Sequence, residues 1–302
     1  MHVILLGTAA GGGFPQWNCW CPTCRIARES PARARPRSQS SIAFSADGVR
    51  WFLGNASPDV REQLAHLPRA PVQGVRHVPV EGIVLTDAEL DHTLGVTLLR
   101  EGRLLQLIAT PAVMRTIAED SRILPVTQAF ATVQIAEVAL GVTTPLAYRD
   151  GIPSGLTIEM RAVRGDAPRF ARKEEVGHTV AAFITESATG KSCAFVPGCG
   201  GLGPKLLARI NQVDLLLFDG TFWTEDELIR LDISKRPASA MGHVPVSGPE
   251  GSLAALSQLS CRAKVYTHIN NTNPMLIESS PERAAVEAAG MVVGMDGMRF
   301  EI

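Results

Sequence analysis

The segment TDAELDHTLG, residues 86–95, concentrates three carboxylates and a histidine within six positions. The acids alternate as Asp87, Glu89 and Asp91, and His92 follows at once. The segment begins where an apolar, strand-like run ends, and α/β proteins place functional residues at the carboxyl ends of strands. Asp91 and His92 can therefore reach one metal ion from neighbouring positions. The alternative is a plain helix start, because acids in the first turn favour the helix dipole.

Four other potential metal-ligand residues stand directly after an apolar run or beside a glycine. They are His178 in VGHTVAAFI, Asp219 in LLLFDGTFW, His243 in AMGHVPVSG and His268 in VYTHINNTN. A single such histidine is more often a hydrogen-bonded core or surface residue than a metal ligand. Four such loops in one chain favour a shared metal or catalytic site.

The segment CWCPTC supplies three thiols within six residues around a proline: Cys19, Cys21 and Cys24. Three thiolates suit a tetrahedral structural zinc ion whose fourth ligand comes from elsewhere in the chain. Buried or redox-active thiols are the alternative. The other three cysteines lie in or beside apolar runs and are expected to be small core residues: Cys193, Cys199 and Cys261.

The composition is that of an ordinary globular chain: 302 residues, 45% of them hydrophobic, suffice for a substantial core. The 29 Lys and Arg nearly balance the 30 Asp and Glu, so no overall field favours nucleic acid or an anionic membrane. The first residues lack the positive region and the length of a signal peptide, and no run reaches membrane-spanning length. We therefore expect a cytoplasmic location, no nucleic-acid partner, no membrane insertion and no structural disulfides.

Strand-length apolar runs alternate with stretches of helical length, without a repeat or an evident linker, which predicts one α/β domain over residues 1–302. Strands are expected at 2–7, in a hairpin turning at Asp47-Gly48, at 82–86, and near 104–109, 156–163, 179–185, 193–197, 214–218 and 264–267. Helices are expected from Ser57-Pro58 to about Leu67, near 111–120, 203–211, 224–231 and 248–259, and from Pro281, with Ser280 as N-cap and Gly290 just past the end. This mixture suggests two sheets covered by helices, with the basic run 28–38 as a surface loop.

One motif points to a different ligand. GCGGLG, residues 198–203, fits G-x-G-x-x-G between a strand and a helix, with Asp219 at a distance suited to a ribose contact. Pro197 and Pro204 flank the motif and it lies deep in the chain, which argues against dinucleotide binding.

A family resemblance rests on the order of these motifs. TDAELDH resembles the T-H-x-H-x-D-H loop of the metallo-β-lactamase superfamily, and GHT, DGTF, GHVP and THI follow in that superfamily's order. The opening LGTAAGGGFPQWNCWCPTCR resembles the branch that serves pyrroloquinoline quinone (PQQ) biosynthesis, and the likeness covers nearly the whole chain. The resemblance implies a four-layer αββα sandwich with its site at the sheet edges and a Cys-x-Cys-x2-Cys zinc-binding insertion near 17–25.

Departures from the superfamily pattern change the metal chemistry that it implies. Asp87 and Glu89 stand where the hydrolases have their first two histidines. PGCGG stands where the superfamily has a Gly-Asp pair whose aspartate bridges the two metal ions. Half of a two-metal site is lost, while Asp91, His92 and His268 remain. Two imidazoles and one carboxylate match the ligands of non-haem Fe(II) oxygenases. We therefore expect a mononuclear Fe(II) site.

The resemblance also implies roles for the remaining groups. Asp219 and His243 match an acid and histidine pair beside the metal that would orient or protonate, and Asp219 is a further candidate iron ligand. Asp87, Glu89 and His178 would ligate the metal or move protons.

The zinc site lacks an obvious fourth ligand. In related phosphodiesterases with the same cysteine motif, a histidine three residues after the TH histidine completes the site, and here that position is Asn271. Asn271, Asn270 and a water molecule are the candidates.

The implied function is iron-dependent hydroxylation of the tyrosine ring of a Glu-Tyr-derived PQQ precursor, with O2 as co-substrate and other PQQ-biosynthesis enzymes as candidate partners. A carrier that moves PQQ or its precursor toward the periplasm and a metal-dependent hydrolase stay open as alternatives. The substrate's carboxylates need cations opposite the acidic loop, and RARPR offers Arg33, Arg35 and Arg37. A solvated basic loop is the alternative for this segment.

Overall fold

The structure, a computed structural model, describes residues 1–69, 75–77 and 79–302. The strands are β1 (His2–Gly7), β2 (Ser41–Ser45), β3 (Trp51–Gly54), β4 (Val80–Val84), β5 (Leu104–Ala109), β6 (Thr132–Glu137), β7 (Thr144–Ala147), β8 (Pro153–Ala162), β9 (Val180–Glu186), β10 (Ser192–Val196), β11 (Leu215–Asp219), β12 (Ala263–Thr267), β13 (Val292–Val293) and β14 (Arg299–Glu301). The helices are α1 (Pro22–Glu29), α2 (Val60–Gln63), α3 (Leu90–Thr93), α4 (Gly95–Leu98), α5 (Pro111–Arg115), α6 (Ile123–Gln128), α7 (Pro204–Ile210), α8 (Glu227–Arg230), α9 (Ser252–Ser257) and α10 (Pro281–Ala288). Short 3-10 turns cover Leu64–His66, Arg100–Gly102, Ser239–Met241 and Pro274–Leu276, and Thr116–Asp120 is a π-helical turn.

The strands form two seven-stranded sheets, ordered β14-β1-β2-β3-β4-β5-β6 and β13-β12-β11-β10-β9-β8-β7. Strands β3 to β6 of the first sheet and β10 to β13 of the second run parallel. An isolated bridge between Ala9 and Ile269 joins the segment after β1 to the segment after β12. The carboxyl ends of β4, β11 and β12 carry the predicted site residues.

Three apolar clusters separate four layers. In β1, Val3 and Leu5 pack into the cluster between the two sheets, while Ile4 and Leu6 pack into a cluster with α2, α4, α5 and α6. A third cluster joins the outer face of the second sheet to α1, α7, α9 and α10. A strand buried on both faces needs such a continuous apolar sequence. This arrangement confirms the αββα sandwich, and the shared central cluster supports the proposal that residues 1–302 form one domain.

Most predicted elements are present. The hairpin turns at Asp47-Gly48, where Gly48 has a φ of +71° and Asp47 Oδ1 accepts from the Val49 and Arg50 amides. Ser280 caps α10 by accepting from the Arg283 amide at 3.0 Å. The longest described helices, α1 and α10, have eight residues, so none could traverse a hydrocarbon layer about 30 Å thick.

Other elements differ from the predictions. The expected helix after Ser57 is shorter and consists of α2 and a 3-10 turn. The run 28–38 is not a surface loop throughout, because α1 extends to Glu29 and Arg37 is buried. Strands β6 and β7 were not predicted. Both pair on one side only, and much of β6 is exposed, so its sequence lacks a continuous apolar run.

Candidate metal centre

Two loops bring three metal-ligand side chains to one point. Asp91 and His92 lie in α3, shortly after β4, and His268 follows β12. Asp91 Oδ2 is 3.4 Å from His268 Nε2 and 3.6 Å from His92 Nε2. The imidazole centroids of His92 and His268 are 5.1 Å apart. One carboxylate oxygen and two imidazole nitrogens at this spacing can share a metal ion.

Asp87 is hydrogen-bonded to the ring nitrogen of His92 that lies away from Asp91. The two Asp87 oxygens lie 2.7 and 2.8 Å from His92 Nδ1, and they also accept from the Thr86 hydroxyl at 2.9 Å and the Glu89 amide at 3.0 Å. Such a bond fixes the tautomer and orientation of a metal-binding imidazole. The other nitrogen, His92 Nε2, is buried and has no hydrogen-bond partner in the described part of the chain. The donor set therefore fits a metal ion, which would satisfy this nitrogen.

The acidic loop sets the protonation of the centre without metal. Burial lowers the pKa of His92, but the charges of Asp87 and Asp91 outweigh burial and raise the pKa to about 9. Desolvation within the cavity, followed by repulsion from Asp87 and Asp91, raises the pKa of Glu89 to about 7. At neutral pH a metal ion must displace a proton from His92, so its affinity depends on pH.

The Thr221 hydroxyl lies at the centre of a second group of donors. Thr221 Oγ1 is 2.6 Å from Asp219 Oδ1, 3.1 Å from His243 Nδ1 and 2.8 Å from His268 Nδ1. Asp219 Oδ2 accepts from His243 Nδ1 at 2.7 Å and from the Cys199 amide at 2.9 Å. Both oxygens of this buried carboxylate are engaged. Asp219 orients His243 through these bonds, and a ribose contact does not fit this buried placement. Ligand atoms of Asp219, His243 and His268 also lie within 4.8 Å of one another, so Asp219 as a further iron ligand stays a prediction.

Thr221, His243 and His268, together with the acidic loop, line a cavity of about 330 Å³, at the lower end of the usual range for small-molecule pockets. His243 stacks on His268 with centroids 5.4 Å apart, and the Phe222 ring meets His243 edge-on at 5.8 Å. Arg169 and Arg236 also line the cavity, and their side chains are exposed. The cavity thus combines a metal centre, an aromatic wall and two cations.

His178 does not join this centre. Its ring is buried, and neither ring nitrogen has a hydrogen-bond partner among the residues that the structure describes. The next residue, Thr179, lines the cavity and His178 does not. The predicted role of His178 in ligation or proton transfer does not fit this placement, because the chain directs Thr179 at the cavity instead.

The arginines of the 33–37 segment lie away from the cavity. Arg37 is only 4% exposed and donates a hydrogen bond to the Gly294 carbonyl. Arg35 lies 3.7 Å from the Glu278 carboxylate, and Arg33 is exposed. None of the three is among the residues that line the cavity. The predicted role in substrate binding does not fit this placement, because contacts with the C-terminal part of the chain hold the segment elsewhere.

The three thiols of Cys19, Cys21 and Cys24 converge at the start of α1. The Asn271 amide nitrogen lies 3.2 Å from Cys24 Sγ and 3.7 Å from Cys21 Sγ. Hydrogen bonding from Cys24 lowers the pKa of Cys21 to about 5, and the same bond raises the pKa of Cys24, so without metal the two sulfurs share one proton. The three converging thiols fit a zinc ion. The Asn271 side-chain nitrogen donates to two of them and has no free electron pair for a metal, so the identity of the fourth ligand stays a prediction. The other cysteines are buried, as expected: Cys193, Cys199 and Cys261.

Sequence reasoning missed much of the cavity lining, including Thr221, Phe222, Arg169 and Arg236. Thr221 and Phe222 follow Asp219 in the DGTF motif, and the hydroxyl two positions after a buried acid was an available signal, since such side chains often bond locally. Arg169 and Arg236 lie in segments without regular structure, where no periodic pattern marks a functional side chain.

Comparisons with known proteins identify the family of the chain. A beta-lactamase superfamily domain model matches residues 50–269. Coenzyme PQQ synthesis protein B of Methylorubrum extorquens is 42% identical over 100% of both chains, and that of Gluconacetobacter diazotrophicus is 41% identical over 99% of each.

Solved structures give the same result. The crystal structure of zinc-bound PqqB from Methylobacterium extorquens has a TM-score of 0.90 at 41% identity and covers 100% of both chains. A diphosphatase of the PhnP family shares the fold, with a TM-score of 0.69 at 18% identity over 100% of this chain and 97% of its own. The chain therefore belongs to the beta-lactamase superfamily and, within it, to the coenzyme PQQ synthesis protein B family.

Proposed function

We propose that this protein takes part in PQQ biosynthesis as a metal-dependent oxygenase that hydroxylates the tyrosine ring of a Glu-Tyr-derived precursor. Relatives that match the full chain are named for coenzyme PQQ synthesis. Asp91, His92 and His268 would hold Fe(II), which supplies the activation of O2 when bound.

One observation carries this proposal: Asp91, His92 and His268 offer a ligand set for one ion. The neighbouring set of Asp219, His243 and His268 shares His268, and both of its carboxylate oxygens are already hydrogen-bonded. Asp91, His92 and His268 point donor atoms at one position. Asp87, at the position of a hydrolase ligand, is engaged by His92 and Thr86. Two-metal hydrolysis needs a second ion about 3.5–4 Å away. Two imidazoles and one carboxylate around one ion leave positions open, as oxygenases require.

The other side chains suit a phenolic substrate. Phe222 and the stacked rings of His243 and His268 form an aromatic wall beside the metal position. Asp219 holds His243 through Nδ1, so His243 Nε2 is the nitrogen that can take the phenolic proton. Burial lowers the pKa of His243, but the charge of Asp219 outweighs burial and raises it, which stabilises the imidazolium after proton transfer.

Anaerobic loading with Fe(II), followed by O2, ascorbate and the dipeptide Glu-Tyr, tests the proposal. One oxygen atom of O2 enters the ring and the other leaves as water, with ascorbate supplying the two electrons. We expect O2 uptake and a product heavier by one oxygen atom. The His268→Ala variant, which lacks one ligand nitrogen, is the control.

Two results would contradict the proposal. O2 uptake no greater than in His268→Ala, together with tight binding of the precursor, would favour a carrier. Zinc-supported cleavage of an ester, a lactam or a phosphodiester would favour a hydrolase.

A further inference from the structure

Charges of both signs line the cavity. Asp87, Glu89 and Asp91 lie on the loop after β4, whereas Arg169 and Arg236 belong to the segments 163–179 and 231–243. A ligand that carries carboxylates is repelled by the acidic loop and needs a cation elsewhere in the cavity. The two arginines are the candidates.

The two arginines differ in how they are engaged. Arg236 lies 3.4 Å from the Asp166 carboxylate and also donates to the Ala240 carbonyl. Arg169 has no ion pair or hydrogen bond with any residue that the structure describes, although it lies close enough to Glu89 for their charges to interact. Arg169 is therefore the cavity cation whose fork of donors is free.

The segment that carries Arg169 is anchored on both sides of it. The Val163 amide donates to the Thr179 carbonyl at 3.1 Å, which closes the segment at its ends. The Arg172 amide donates to Asp120 at 3.2 Å, and Pro168 is buried. A binding group on an anchored backbone loses less conformational freedom when its ligand arrives.

We propose that Arg169 binds a carboxylate of the substrate while the phenol end lies at the metal position. Guanidinium binds carboxylate through two parallel hydrogen bonds, which fixes orientation as well as strength. Arg169 thus selects aromatic substrates that carry an anionic group over neutral phenols. The inference rests on the proposed function, which supplies the identity of the substrate.

The test compares two peptides and two variants. Zinc-loaded protein, whose metal does not activate O2, is titrated by calorimetry with Glu-Tyr and with Gln-Tyr-amide, which has the same α-amino group but amides in place of both carboxylates. Arg169→Gln should lower the preference for Glu-Tyr by about 10- to 100-fold, since one charged hydrogen-bonded pair is removed. Arg172→Gln is the matched control, because Arg172 lies in the same segment, is 81% exposed and pairs with Asp120. Its preference should equal that of the wild type.

Metal content and melting temperature are measured for each protein. An Arg169→Gln variant that folds, holds metal and keeps the wild-type preference overturns the inference, and so does a wild type that binds both peptides equally. Arg169→Lys keeps the positive charge but loses the paired N–H donors of the guanidinium group, so we expect it to retain part of the preference. O2 uptake by the iron-loaded wild type, measured in parallel, tests the proposed function separately. O2 uptake by the wild type, together with an unchanged peptide preference in Arg169→Gln, would contradict this inference but not the proposed function.

Discussion

His92 and Asp87 are hydrogen-bonded to each other, but they have different roles at the candidate metal centre: His92 is a candidate ligand, and Asp87 orients it. His92→Ala removes a ligand nitrogen, so we expect the metal to be lost and activity with it. Asp87→Asn keeps the shape behind His92 but removes the charge that orients and polarises the ring, so the metal should stay while turnover falls by ~10- to 100-fold. Glu89→Gln should behave like Asp87→Asn. Metal per chain, measured beside turnover, distinguishes the two classes.

The opposite outcome would change the ligand assignment. If Asp87→Asn and Glu89→Gln lost metal as completely as His92→Ala, the whole acidic loop would bind the ion. The model of two histidines and one carboxylate would then be abandoned.

For single residues, the sequence indicated the candidate ligands better than it indicated their surroundings. Asp91 and His268 follow apolar strands, and a strand end is readable from sequence. The role of Asp219 depends on His243, 24 positions away, which only the fold brings to it. Arg37 was expected to be exposed because charged side chains are rarely buried, but it bonds to the Gly294 carbonyl, 257 positions away.

The loop after β12 serves both candidate metal sites. His268 has a φ of +53°, in the left-handed region that is costly for a residue with a side chain, so surrounding contacts must hold it there. Asn271, three positions on, contacts Cys21 and Cys24. The Asn270 amide also donates to the Thr221 carbonyl at 3.0 Å. The cysteine cluster therefore helps to hold His268 in place.

Loss of the cluster should weaken the distant centre. We expect Cys21→Ala to lose zinc and also to lower the affinity of the Asp91, His92 and His268 site for Fe(II), although Cys21 does not touch that site. The loop loses the anchor that supports the φ of His268. Cys261→Ala, which alters a buried cysteine outside the cluster, should leave Fe(II) affinity unchanged. Anaerobic Fe(II) titration beside zinc analysis measures both effects.

Two results would count against this coupling. Unchanged Fe(II) affinity after loss of zinc would separate the loop from the cluster. Loss of iron with zinc retained would reverse the assignment of the two metals.

Elements with a strong apolar pattern were predictable and those at sheet edges were not. The two buried faces of β1 require the unbroken run HVILLG, which identifies the strand. An edge strand pairs on one side only, so it tolerates polar residues and proline. Strand β6 accordingly has the sequence TVQIAE, and β7 contains a proline. Helices α8 and α9 are shorter than the patterns that suggested them, since element bounds depend on tertiary packing.

The two sheets depend on side chains that meet in the central cluster. Phe195 of β10 is fully buried, and its ring lies so close to Gly54 of β3 that a Cβ there would be 3.2 Å away. Phe195→Ala should lower the free energy of unfolding by about 3–5 kcal/mol, because it leaves a cavity between the sheets. Phe130→Ala, at a side chain that is 67% exposed and lies under the Arg100 guanidinium, should lower it by only about 1 kcal/mol or less.

Urea unfolding of both variants measures the difference. Equal and small effects would mean that the interior between the sheets contributes little to stability.

The layered architecture itself was implied by a resemblance of motifs. The strand and helix order alone agreed with two sheets but did not determine how they pack, since sheet packing depends on contacts between distant segments.

Both candidate metal sites join parts of the chain that are made at different times. Asn271 meets Cys21 across 250 positions, and His268 meets Asp91 from the same late loop. At ~5–20 residues per second, that loop follows Cys21 from the ribosome by roughly 12 to 50 seconds. Until then the nascent chain offers three thiols without Asn271, and Asp91 and His92 without His268. Neither ligand set is complete before that loop has been made, so the choice of metal at each candidate site comes late in synthesis or after it.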